Sequence, residues 1–165
     1  MMAGSYAQKA LAQVARAGVA VVLCLMACTP NAPSGSGQLL GMTAGASVVE
    51  VSLLQFAPSQ TPYGTVGGYS PNVLIVPVGA IIQFHNRDSF SHTATLVSTT
   101  GFTAAGISSA ALSRAGTDIS APQWSTGQLN GSAYSQPLLA SRPGTYFYGC
   151  FYHYGSPMRG VIIVQ

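Results

Sequence analysis

At 165 residues the chain is long enough for one domain with a hydrophobic core and too short for two comfortable ones. Only 5% of its residues are charged, while Gly, Ser, Thr, Pro and β-branched residues abound, a composition that favours short strands and turns over charged amphipathic helices. Beyond position 30, Arg87, Arg114, Arg142 and Arg159 stand against Glu50, Asp88 and Asp118, which leaves a net +1 and excludes the basic footprint of a nucleic-acid binder.

Residues 1–28 read as a signal peptide: Lys9 and Arg16 lead into the apolar run AGVAVVLCLMA (17–27), and no acidic residue interrupts it. The run is about half the length a permanent membrane-spanning helix needs, so a soluble or lipid-tethered product is expected. Its end, LMAC, resembles the bacterial lipoprotein signal, in which a cysteine after a small residue becomes N-terminal and lipidated. Cys28 is the candidate; the plainer alternative is that Cys28, like Cys24, is an apolar residue of the exported segment. Both readings send the protein to the periplasm or the cell surface, the first with a lipid anchor in a bacterial membrane. Residues 29–46 then form a flexible tether, Ser/Gly/Pro-rich in TPNAPSGSGQ (29–38), and residues 47–165 form the domain.

Exported domains use cysteines in pairs, yet only Cys150 follows Cys28, so no disulfide can form within the domain. A lone thiol in an oxidising compartment needs burial or a bound partner, and metal ligation is one way to occupy it.

In chain order, SVVEVSLLQF (47–56), VLIVPVGAIIQFHN (73–86) and HTATLVS (92–98) carry the apolar runs or period-two alternation of strands. APSQTPYGTVGGYSPN (57–72) has turn chemistry throughout, and TAAGISSAALSRAG (103–116) suits a short helix or an irregular loop. RPGTYFYGC (142–150) enters a strand with Tyr146, Tyr148 and Cys150 on one face, and GVIIVQ closes the chain as a final strand. The whole predicts an all-β sandwich of about seven to eight strands. Cys150 ends one strand and Met158 precedes the next, so YGCFYHYGSPM (148–158) places a thiol, an imidazole and a thioether in one inter-strand loop.

That soft donor set favours copper or zinc over magnesium or calcium, and two histidines, one cysteine and a weak axial methionine make the blue-copper arrangement. The missing histidine is His85 or His92. Alternation turns His85 away from the inward Phe84 and gives it a structural, partly exposed role; His92 opens the next strand after a polar turn and is the expected ligand. Taken singly, His153 would pass for a surface residue and Met158 for core filling.

These segments resemble the cupredoxin family, the Greek-key sandwiches that include plastocyanin, pseudoazurin and amicyanin. FHNRDSFSHT matches the family's polar turn before the first histidine, GTYFYGCFYHYGSPMRGVIIV matches its Cys-x-x-His loop with a following Met, and WSTGQL resembles the segment leading toward the ligand strand. The likeness spans about residues 47–165. It implies one type 1 copper held by His92, Cys150, His153 and Met158, and one-electron transfer between a redox donor and an acceptor protein, by a monomer that is not an enzyme. It also implies that Asn86 hydrogen-bonds near the cysteine sulfur and ties the ligand loops together, and that Tyr152, Tyr154 and Pro157 surround His153 on the docking face. Phe151, Tyr152 and Tyr154 make the loop more aromatic than is usual, and Ser91 stands where proline is common.

A multicopper oxidase or nitrite reductase needs more than the chain's three histidines, and a copper chaperone or store needs Met- and His-rich tracts where only Met42 and Met158 follow the signal. An extracellular interaction module without copper would tolerate loss of ligands, and none is lost. The low charge predicts docking through apolar contact with little salt dependence. So few carboxylates also suggest a fold with little to lose on acidification.

Overall fold

The computed structural model describes residues 41–165; the signal segment, Cys28 and the tether up to residue 40 lie outside the described residues. Twelve strands occur among them: β1 (Ser47–Val51), β2 (Ser59–Thr61), β3 (Gly64–Val66), β4 (Tyr69–Ser70), β5 (Val73–Val76), β6 (Ile81–Asn86), β7 (Thr95–Ser98), β8 (Arg114–Ala115), β9 (Ser125–Thr126), β10 (Leu138–Leu139), β11 (Gly144–Gly149) and β12 (Arg159–Val164). The count exceeds the seven to eight expected because bends cut the longer strands and several pieces are only two residues long. The all-β expectation holds: apart from a 3₁₀ turn at Ser109–Leu112, N-capped by Ser108, every regular element among the described residues is a strand.

One sheet has the order β10-β6-β1-β4 and the other β5-β12-β11-β7-β9-β8, with β2-β3 as a separate hairpin. The pairs β1/β6 and β5/β12 run parallel, as they must when successive strands cross between the two sheets instead of returning by tight hairpins. Val49, Val51, Ile82, Phe84 and Leu138 from one sheet meet Val76, Tyr146, Tyr148, Ile162 and Val164 from the other in a shared core. Phe147, pointing the opposite way, joins Val66 and Val161 in a second small cluster.

Three segments differ from the sequence expectation for local reasons. The turn-rich 57–72 contains the β2-β3 hairpin, closed by Thr61 Oγ1 donating to the Gly64 carbonyl at 2.8 Å, and then β4. β1 stops at Val51; the fully buried Ser52 beyond it donates its backbone N–H to the Gly68 carbonyl at 3.0 Å and its hydroxyl to Asp88. The apolar run 73–86 breaks at Pro77–Gly79 into two strands that belong to opposite sheets. The ligand strand β11 enters from a tyrosine corner, in which Tyr146 donates to the Arg142 carbonyl at 3.0 Å.

Candidate metal centre

The first histidine is delivered by a turn built around Asn86, the last residue of β6. The Asn86 amide donates to the carbonyls of Phe90 (2.7 Å) and Leu129 (2.9 Å), and its oxygen accepts from Asp88 N (3.0 Å). This folds residues 87–91 back so that His92 pairs with Leu129 through both backbone hydrogen bonds, at 3.0 and 2.8 Å. His92 is fully buried. Its Nε2 lies 2.8 Å from Asp88 Oδ2, and the same carboxylate accepts from Ser52 Oγ (2.5 Å) and Leu53 N (2.7 Å).

The other two residues come from the loop after β11. Cys150 N donates to the Met158 carbonyl (3.1 Å) at the loop's neck, while the His153 carbonyl accepts from Ser156 N (2.9 Å) and Met158 N (3.1 Å). The resulting tight turn aims His153 inward. Cys150 Sγ lies 3.7 Å from His92 Nδ1 and 3.7 Å from His153 Nδ1, and one donor atom from each of the three residues lies within 4.8 Å of the other two. Metal–sulfur and metal–nitrogen lengths of about 2.3 and 2.0–2.1 Å, opened to roughly 110–120°, put sulfur and nitrogen about 3.6–3.8 Å apart. Both observed separations fall there, so the residues fit a shared ion.

Met158 is fully buried and belongs to the core cluster that contains Cys150. Its side chain packs against Gly68, where a Cβ would run into Met158 Cγ. His85 stays out of the group, as alternation in β6 predicts: it hydrogen-bonds Glu50 at 2.9 Å and stacks on Tyr134 with ring centroids 4.0 Å apart.

The electrostatics suit a soft cation. Burial pushes both His92 and His153 below the ordinary histidine value, although the Asp88 carboxylate pulls each the other way. Burial alone would raise Asp88, but hydrogen bonds from Ser52, His92 and Leu53 more than offset it and hold the carboxyl low. An ionised Asp88 can only accept, so a neutral His92 must carry its proton on Nε2 and present the Nδ1 lone pair toward Cys150. Burial also raises the Cys150 thiol, against hydrogen bonds that include Thr93 N to Sγ at 3.5 Å. A metal must therefore displace the thiol proton to bind.

Two expectations are corrected. Asn86 makes no bond to the sulfur; that bond comes from Thr93 N, and Thr93 Oγ1 accepts from Phe151 N at 2.8 Å, so Thr93 ties the two ligand loops together. Tyr154 is not on the docking face but buried, its hydroxyl donating to the Thr103 carbonyl (3.1 Å) and its ring lying under the Arg159 guanidinium at 4.1 Å. Tyr152 is exposed and Pro157 half-buried. Phe90, which sequence reasoning passed over, is 37% exposed and packs its ring 4.9 Å from His92 and 6.0 Å from His153. Asp88 was missed as well, although its position four residues before His92 in a chain with three acidic residues is a usable signal.

No protein-family model and no curated protein matches the chain. Among solved structures, a mutant of amicyanin in its Cu(I) form covers 74% of this chain and 85% of its own, at 19% identity and a TM-score of 0.47. A reduced amicyanin mutant covers 75% and 86%, at 19% identity and 0.48. A purple cupredoxin from Nitrosopumilus maritimus covers 72% and 99%, at 19% identity and 0.47. In this chain itself, a two-sheet β-sandwich gathers His92, Cys150 and His153, with Met158 packed in the same core, and this donor set fits a type 1 copper centre.

Proposed function

We propose that the protein binds one copper ion through His92, Cys150, His153 and Met158 and carries single electrons between two redox proteins. The observation that carries this reading is the placement of Cys150 Sγ at 3.7 Å from Nδ1 of both histidines. Bound copper supplies the one-electron chemistry, between Cu(I) and Cu(II). Cys150 would contribute a thiolate once its proton leaves, the neutral imidazoles of His92 and His153 would contribute lone pairs, and Met158 would offer a weak thioether donor. Thr93 N, donating to the sulfur, holds the thiolate in place. The apolar surroundings of Cys150 and Met158 keep water out, which favours rapid electron exchange over ligand exchange.

His153 is the least buried of the three clustered residues, and Phe90 and Tyr152 stand beside it, so electrons leave through this face. Full burial of His92 and Cys150 weighs against a chaperone or store, which must hand its metal over. An oxidase is disfavoured because the one remaining histidine, His85, is held by Glu50 and Tyr134. Export and anchoring through a lipidated Cys28 rest on the sequence.

Optical and EPR spectra of the purified domain with Cu(II) test the central claim. Wild type should show an intense thiolate-to-copper band and Cys150→Ser should lose it. A colourless wild type, or a band that survives the substitution, ends the proposal.

A further inference from the structure

The Asp88 carboxylate is the one acidic group built into the site, and neither the donor set nor electron transfer as such requires it. It is almost wholly buried, and its oxygens accept from the Ser52 hydroxyl and the Leu53 backbone N–H, two adjacent residues, and from the ring of His92 in a separate segment. Ser52 and Leu53 directly follow β1, so the end of that strand anchors the carboxylate against the ring.

We infer that Asp88 is a positioning residue that fixes His92 as the Nε2–H tautomer, aims Nδ1 at the metal, and stabilises Cu(II) over Cu(I). The first part follows from hydrogen-bonding capacity: a carboxylate offers no proton, so Nε2 must supply it, and that leaves Nδ1 as a lone pair 3.7 Å from Cys150 Sγ. The second follows from charge. A carboxylate bonded to the far nitrogen makes the imidazole a stronger donor, and a buried negative charge attracts the doubly charged ion more than the singly charged one. The tuning part rests on the copper reading; the tautomer part does not.

Two substitutions separate the components. In Asp88→Asn the amide oxygen can take the place of Oδ2, with the amide nitrogen toward Ser52 Oγ, so the hydrogen bond to His92 is kept and the charge lost. Asp88→Ala loses both. In ¹⁵N-resolved NMR of the metal-free protein, wild type and Asp88→Asn should show His92 protonated at Nε2, and Asp88→Ala should show a tautomer mixture. Cu(II) affinity should fall about 10–100-fold in Asp88→Ala. The midpoint potential should rise in Asp88→Asn, by about 59 mV for each tenfold by which the loss of Cu(II) affinity exceeds that of Cu(I).

A wild type protonated at Nδ1 overturns the positioning role, and an Asp88→Asn potential that is unchanged or lower overturns the tuning. If Asp88→Ala does not fold, wild type and Asp88→Asn still decide both questions. A wild type without a thiolate-to-copper band would sink the copper reading and the tuning with it, while the tautomer result would stand or fall alone.

Discussion

Gly68 is where the backbone makes room for Met158, and replacing it with alanine tests that packing directly. Two costs arise there. Its φ of +73° lies in the left-handed region, where an L-residue costs about 1–2 kcal/mol. The new Cβ would also overlap Met158 Cγ and stand 3.2 Å from Met158 Cβ and Cε, and overpacking of this kind costs about 1–3 kcal/mol. Gly79 supplies the control, because its φ is +88° and nothing lies within 4 Å of a Cβ placed there. Urea unfolding of the metal-free protein should therefore show Gly68→Ala destabilised by about 2–5 kcal/mol and Gly79→Ala by about 1–2 kcal/mol. A double-mutant cycle with Met158→Ala should be non-additive, since the smaller side chain relieves the clash and the double variant loses less than the two single losses added. If Gly68→Ala costs no more than Gly79→Ala, or if the cycle is additive, Gly68 does not set the position of Met158.

Acid should destabilise the metal-free protein in two stages, contrary to what the scarcity of carboxylates suggests. His92 and His153 titrate lower when folded than unfolded, so between neutrality and about pH 6.5 neither state gains from protons. Below that the unfolded chain protonates first and stability falls, by at most about 1.4 kcal/mol per pH unit for each histidine. Asp88 and Asp118 are held low in the fold, so their contribution persists until the pH drops below about 4 and is then lost as they protonate. Thermal unfolding across pH 3 to 8 checks this, and a flat profile from neutrality to pH 5 would contradict the histidine stage. For the exported form, mass spectrometry of the mature protein should find Cys28 as a diacylated N-terminal residue; an unmodified N-terminus on either side of it would refute the anchor.

The choice of His92 over His85 was legible because strand alternation is rigid: Phe84 inward forces His85 outward, where Glu50, its partner across the parallel β1/β6 register, waits. Loops obey no such period. Tyr154 sits beside a clustered histidine in sequence, but the turn closed on the His153 carbonyl reverses the chain and sends its ring inward. Asn86 and Thr93 illustrate the same limit, since both flank the turn that carries His92 and only the fold decides which one meets the sulfur. The β2-β3 hairpin was hidden because a three-residue strand is too short to show alternation among glycines and prolines. Asp88 belongs with neither the apolar pattern nor the donor set; its place four residues before His92 marks it as a neighbour, and the turn built around Asn86 is what brings its carboxylate onto the ring.

The rooting of Tyr154 has a consequence for anyone who treats residues 150–158 as an exchangeable cassette. Its hydroxyl is fastened to Thr103, in a segment remote in sequence, and its ring is clamped by Arg159, which also donates from Nε to the Tyr154 carbonyl at 3.0 Å. Spliced into another sandwich, the nine residues would leave both fastenings behind and lose the scaffold that shapes their turn. The heritable unit of this cluster is the loop together with its moorings, and a lineage could reshape the turn that carries His153 by changing Thr103 or Arg159 while His92, Cys150, His153 and Met158 all stayed the same.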